Sequence, residues 1–175
     1  MVQVMDNEFL RMYDSKIKLR LFLEKDHWFF IDKYLKYLRK EEFYFKKNGI
    51  FNRLISFYYA RKKNSLGAKL GFYIPKFTIG SDVTIYHHGA ITVSGDAKIG
   101  NGCILHGMNC IGNNGSEKQA PVIGNNVDIG VGAKIIGDVK IADNITIGAN
   151  AVVTKSCTIE GATLVGVPAK VMVKK

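Results

Sequence analysis

Three histidines stand in the glycine-rich half of this 175-residue chain: His87, His88 and His106. Imidazole titrates near neutral pH and can take a proton from a hydroxyl group. Histidine is therefore suited to make a nucleophile of a neutral alcohol. His87 and His88 are adjacent, and neighbouring side chains on one strand point to opposite faces. That opposition predicts that only one of the two enters a given cleft, and it makes the pair a poor set of metal ligands. The three cysteines, Cys103, Cys110 and Cys157, show no C-x-x-C spacing. They predict no disulfide framework and no cysteine zinc site, and they fit a reducing compartment.

The elements that must position these histidines are written in a repeat. Ile123, Ile129, Ile135, Ile141, Ile147, Val153, Ile159, Val165 and Val171 follow one another at a spacing of six. Upstream stand Ile79, Ile85 and Ile91, then Ile99, Leu105 and Ile111, with a slip of two between Ile91 and Ile99. The fifth place of the hexad is small or branched, as at Val83, Cys103, Val127, Ala133 and Ala151. A period of six is neither the 3.6 of a helix nor the 2 of a simple strand. Short flat strands joined by sharp corners satisfy it, three sides closing a coil of eighteen residues. Stacked coils bury columns of Ile and Val, so the fold expected is mainly β, a parallel β-helix. With the slip counted, residue 107 stacks on residue 87, which brings His106 close to His87. Between Ile111 and Ile123 the polar stretch 113–121 interrupts the hexads and predicts a loop thrown out of the coil.

The other half of the chain follows different rules. Residues 1–70 hold 16 of the 25 Lys and Arg, 8 of the 15 Asp and Glu, and 15 of the 19 aromatics, but only two of the 18 glycines. Helices are expected near 6–24, 27–47 and 50–63. One apolar face is read as Phe30, Tyr34, Tyr37 and Leu38, another as Leu54, Ile55, Tyr58 and Tyr59, with Asn48-Gly49 as a stop between them. Two domains result, a helical segment 1–70 and a β-helix 71–175. The lysines are first a solvated face on packing helices and second a surface for weak contact with anionic lipid. No nucleic-acid module is present, and none is expected as a partner. No apolar run is long enough to span a membrane, and the first residues lack the apolar core of a secretory signal. The expected location is the cytoplasm, with residues 1–70 as the surface that could meet the inner face of the membrane.

The hexads and the closing Gly166-Val167-Pro168-Ala169-Lys170 resemble the hexapeptide-repeat acyltransferases, in particular the serine acetyltransferase-like branch. The matching stretches are Ile85-Tyr86-His87-His88-Gly89, Ile129-Gly130-Val131-Gly132-Ala133-Lys134-Ile135 and Gly148-Ala149-Asn150-Ala151-Val152-Val153. The short helical start is similar to that of surface-polysaccharide acetyltransferases. The resemblance implies a left-handed β-helix, a homotrimer with sites between neighbours, and acetyl transfer from acetyl-CoA to a hydroxyl. It implies that His87 is the general base, and His106, brought close by the stacking, is the second catalytic candidate. Val131, Gly132, Ala149 and Lys170 match coenzyme-contacting positions. Tyr86, His88 and Asn113 are the expected acceptor contacts.

The pattern also departs from serine acetyltransferases. Phe72 stands where they pair the histidine with a carboxylate, Tyr86 where they carry Asp before the histidine, and Ala120 where their loop has a second histidine. These departures favour a sugar of a surface polysaccharide as the acceptor, ahead of L-serine or an amino sugar. Two readings of other classes stand beside it. One is a non-catalytic β-helix that only binds partners. The other is a three-histidine zinc enzyme similar to the γ-class carbonic anhydrases. No metal is expected.

Overall fold

In the computed structural model, which describes residues 14–115 and 119–172, two aspartates start the first helices. Asp14 accepts from the N–H of Lys16 ahead of α1 (Ser15–Leu23), and Asp26 accepts from the N–H of Trp28 ahead of α2 (His27–Lys46). Each satisfies a backbone donor that a helix start leaves open. Gly49, at positive φ, turns the chain into α3 (Ile50–Leu70), which ends at Gly71 in the left-handed conformation. The stop expected at Asn48-Gly49 is therefore present. Residues 6–13 of the first expected helix, and residues 116–118 of the expected loop, lie outside the described residues.

Two expectations for the helices need correction. α3 runs seven residues past 63, because nothing from Asn64 to Leu70 breaks it. Gly67 there lets the helix approach closely: a Cβ would meet the Phe72 carbonyl and the Tyr34 ring. The stripe Leu54, Ile55 and Tyr58 does not enter the core. It is exposed with Phe51 (78%) and Phe57 (67%), while α3 buries Ser56, Lys63, Gly67 and Leu70. The buried face of α2 is Ile31, Tyr34, Leu35 and Leu38, centred between the predicted residues.

After α3 the chain forms β1 (Phe72–Tyr73), β2 (Thr84–Ile85), β3 (Ile91–Val93), β4 (Lys98–Ile99), β5 (Ile104–Leu105), β6 (Cys110–Gly112) and β7 (Val122–Ile123). It continues with β8 (Asp128–Ile129), β9 (Lys134–Ile136), β10 (Lys140–Ile141), β11 (Thr146–Ile147), β12 (Val152–Val153), β13 (Thr163–Val165) and β14 (Lys170–Val171). They stack as three faces: β1-β3-β6-β9-β12, β4-β7-β10 and β2-β5-β8-β11-β13-β14. The pairing is parallel throughout except between β13 and β14. The fold is a left-handed parallel β-helix preceded by a small helical part.

The inward residues stack in columns. On one face Ile85, Leu105, Ile129, Ile147 and Leu164 succeed one another; on the next, Val93, Ile111, Ile135 and Val153. Each fully buried aliphatic side chain contributes roughly 1.5–3 kcal/mol. The slip of two appears as Ile85 pairing with Leu105. The insertion appears as Leu105 pairing with Ile129, six residues beyond the eighteen of a plain coil. Asparagines brace one corner: the N–H of Asn101 donates to Asn125 Oδ1, and that of Asn125 to Asp143 Oδ1.

The inward row stops sooner than the period of six predicts. Ile159 is 60% exposed, and Val165 and Val171 also face outward. Leu164 takes the inward place because the last coil is one residue short, and β14 turns back antiparallel.

The helices cover the top of the β-helix. Tyr34 Oη donates to the Ile74 carbonyl and accepts from its N–H. Burial raises its phenol pKa, with smaller contributions from the hydrogen bond to Ile74, which lowers it, and from Glu41, which raises it. Lys63 Nζ lies 2.8 Å from Glu41 Oε2, both side chains buried. Arg39 donates to the carbonyls of Ile79 and Gly80, and Glu42 Oε1 accepts from the N–H of Phe77.

Candidate active site

The expected strand-facing opposition of His87 and His88 does not hold. β2 ends at Ile85, and both histidines lie in the corner that follows, where side-chain alternation no longer applies. Both are exposed, and both rings lie near His27, whose centroid is 6.1 Å from that of His87 and 5.4 Å from that of His88. The Trp28 ring is 6.5 Å from His87 and meets Tyr86 edge-on at 5.8 Å. α2 thus delivers its first two residues to the histidine corner.

The predicted stacking of 107 on 87 is present. Gly107, at φ 112°, sits so that a Cβ on it would be 3.4 Å from that of His87. Its lack of a side chain makes room for the histidine, and its conformation turns the corner. One residue earlier, the His106 ring stacks on Tyr86 at 4.9 Å. Tyr86 in turn lies 6.4 Å from His87, so its ring sits against both histidines. His106 Nε2 is 2.9 Å from Asp128 Oδ1. The carboxylate comes from the next coil, on the strand paired with Ile104 and Leu105. Asn109 is buried and fixes this corner: its Oδ1 accepts from the Gly107 N–H, and its Nδ2 donates to the Gly130 carbonyl.

The same edge continues down the β-helix. The Gly132 N–H donates to the Gly107 carbonyl, and the Asn150 N–H to the Val131 carbonyl. His87, Gly107, Val131 and Ala149 therefore stand in one row, with Gly132 beside it. Three strand spacings separate the ends, roughly 14 Å at about 4.8 Å each. Val131 and Ala149 are exposed along the row. Lys170, also exposed, pairs with Val165 at the far end. Asn113 is not brought to this place. It begins the inserted segment after β6, at a different corner, where its Oδ1 accepts from the Gly115 N–H.

Sequence reasoning passed over His27, Trp28, Asp128 and Asn109. His27 and Trp28 approach only through the docking of α2, which no local signal announces. Asp128 was within reach of the coil arithmetic, once the inserted residues were added to the coil that holds His106. Among the described residues, no group of three or more His, Cys, Asp or Glu is placed to hold a metal ion.

A cavity of about 560 Å³ opens beside the corner, between α2, α3 and His88.

No protein-family model matches the chain. Its relatives among curated proteins include serine acetyltransferases. The one from Mycobacterium tuberculosis is 39% identical over 94 residues, which are 54% of this chain and 33% of the relative. Those from two strains of Helicobacter pylori are each 38% identical over 96 residues, 55% of this chain and 45% of theirs. The chain thus spans less than half the length of the curated relatives it matches. Among solved structures, a truncated serine acetyltransferase apoenzyme is 26% identical with a TM-score of 0.66, covering 83% of this chain and 57% of that one. The soybean serine acetyltransferase apoenzyme has a TM-score of 0.72 at 22% identity, covering 95% and 66%. A serine acetyltransferase in complex with CoA has a TM-score of 0.68 at 23% identity, covering 97% and 67%. These last two likenesses speak for the fold.

Proposed function

We propose that the chain is an acetyl-CoA-dependent O-acetyltransferase, with His87 as the general base. The observation that carries this reading is the single edge on which His87, Gly107, Val131 and Ala149 fall in line, with Gly132 beside it. Small and exposed residues there let an extended pantetheine arm lie against the backbone and end at His87, with Lys170 near the other end for phosphate. Acetyl-CoA supplies the activated acetyl thioester. His87 takes the proton of the acceptor hydroxyl as its oxygen attacks the thioester carbonyl, the C–S bond breaks, and the proton passes from His87 to the departing CoA thiolate; Tyr86, His88 and His27 bound the space where the acceptor sits. The Asp128 carboxylate holds the His106 ring, and with it the stacked Tyr86, in one orientation. This gives a charged anchor beside the base although Phe72 replaces the carboxylate expected from serine acetyltransferases.

The names of the relatives support L-serine as the acceptor, giving O-acetyl-L-serine. This moves serine ahead of the surface-polysaccharide sugar that the sequence departures favour. The sugar reading keeps one specific observation: the cavity beside His88 is far larger than serine. A homotrimer with shared sites, the two-domain division at 70/71 and contact of residues 1–70 with the inner face of the membrane belong to the same proposal. Among the described residues no helix is long and apolar enough to cross a membrane.

The test is thiol release from acetyl-CoA in the presence of L-serine and of a panel of sugars and sugar phosphates, followed by mass spectrometry of the product. An acetylated acceptor formed by the wild type and not by His87→Ala is the expected result. Thiol release without an acetylated product would remove the transferase reading.

A further inference from the structure

The cavity beside His88 has a charge that acetyl transfer to a neutral alcohol does not require. Lys25, Lys33, Lys62 and Lys69 line it, and among the described residues none of the four is paired with a carboxylate. Other cations of the helices and of the turn after β1 are matched: Lys63 and Lys76 by Glu41, Arg39 by Glu42, Lys36 by Asp32. Lys16, Lys18, Lys40, Lys46 and Lys47 likewise have no carboxylate partner among the described residues; what sets the four apart is that they line one cavity. Lys62 and Lys69 are seven residues apart on α3 and so share a face, while Lys33 comes from α2 and Lys25 from the turn before it.

Phe30, Leu66 and Leu70 form the apolar side of the same cavity, and Tyr37 and Ser65 add hydroxyls. A volume of about 560 Å³ lies in the range of sites that enclose a sugar-sized or larger ligand. Lysine is a mobile point charge that suits phosphate oxygens, and several together suit a group with more than one negative charge. One end of the cavity is closed by His27 and His88, and the His27 ring reaches the base His87.

We infer that this cavity is the acceptor's anchoring site and that it takes a phosphate- or pyrophosphate-bearing sugar, the charged group among the four lysines and a sugar hydroxyl presented past His88 to His87. The inference rests on the proposal that His87 is the base and takes up its second acceptor reading, a sugar in place of L-serine, by naming the class of sugar. It predicts that the charged group binds in the absence of acetyl transfer.

The probe is inorganic pyrophosphate, titrated calorimetrically into the full chain at 0.15 M salt. Four variants are compared, each checked by circular dichroism: Lys62→Gln/Lys69→Gln, the single Lys62→Gln, the charge-matched control Lys140→Gln/Lys155→Gln on the β-helix, and His87→Ala. Saturable binding is expected for the wild type and for His87→Ala. Affinity should fall at least tenfold in the cavity double variant, by less in Lys62→Gln, and under twofold in the control. Equal losses in both double variants would reduce the effect to net charge and overturn the inference. Absence of saturable binding would overturn it as well. Complete displacement of pyrophosphate by coenzyme A would assign the lysines to the donor's phosphates and also overturn it. Failure of the general-base reading appears separately, as acetyl transfer that persists in His87→Ala while pyrophosphate binding is unchanged.

Discussion

His106 and Asp128 join two successive coils through a 2.9 Å contact between Nε2 and Oδ1 on the outer face of the β-helix. The contact orients an imidazole whose ring also stacks on Tyr86. A hydrogen bond to a charged group contributes about 1.5–3 kcal/mol, and each 1.4 kcal/mol is tenfold. Asp128→Asn is therefore expected to lower kcat roughly ten- to a hundredfold, while KM for acetyl-CoA changes under twofold. Asp128→Glu should recover part of the loss. Steady-state kinetics of the three proteins check this, and an unchanged kcat in Asp128→Asn would make the pair a purely structural clasp.

His87 and His88 share a corner and the neighbouring His27 ring, but only His88 is among the residues lining the cavity. His87→Ala should lower kcat by about two to four orders of magnitude, the usual contribution of general-base catalysis. His88 lines the cavity instead, so His88→Ala should act mainly on KM for the acceptor and cost kcat much less. Separate kcat and KM measurements with the acceptor that the thiol-release screen identifies distinguish the two. Equal losses of kcat would mean that both rings act at the reacting hydroxyl.

Tyr34 tests the seam between helices and β-helix. Tyr34→Phe leaves the Ile74 N–H without its partner and removes one donor to the Ile74 carbonyl. The expected cost is about 1–3 kcal/mol, read from urea unfolding. Burial raises the Tyr34 pKa, and a free phenol titrates near 10. A group whose folded pKa is raised contributes stability that is fully present below the unfolded value and lost as pH rises above it. The wild type should therefore lose stability as pH climbs past about 10, and Tyr34→Phe should lose less over the same window.

The exposed side of α3 tests membrane contact. Phe51, Leu54, Phe57 and Tyr58 face solvent among the lysines of a segment with net positive charge. Aromatics settle at interfaces, and each lysine near an anionic surface adds about 1 kcal/mol. Co-sedimentation at 0.15 M salt should favour anionic over neutral vesicles, and Phe51→Ser/Phe57→Ser should reduce the bound fraction. Equal binding to both vesicle types would leave this face to protein contacts.

The β-helix was legible because its signal is one-dimensional. A column residue every six positions declares itself in any window, and adding the slip of two was enough to place Gly107 on His87. The same arithmetic failed from Ile159 onward, because a coil one residue short looks on paper like an unbroken period. The local rule of alternation failed at His87 and His88 because strands of two residues leave most side chains in corners. The helical half was harder to read. Leu54, Ile55 and Tyr58 have the spacing of a buried stripe, yet the core takes Ser56, Lys63 and Gly67, which pack or pair only in three dimensions. The approach of His27 to His87 is of that kind too, a consequence of docking rather than of spacing.

A stack of parallel strands has two open ends, and each is an invitation to grow. At the top, α3 crosses close to Phe72 through Gly67, and Tyr34 occupies both polar groups of Ile74. At the bottom, β14 pairs backwards on β13, so a further coil meets a strand of the wrong direction. Exposed strand edges template pairing between molecules. The two closures therefore do more than finish the fold. They set its length and turn a repeat that could in principle polymerise end to end into a counted object.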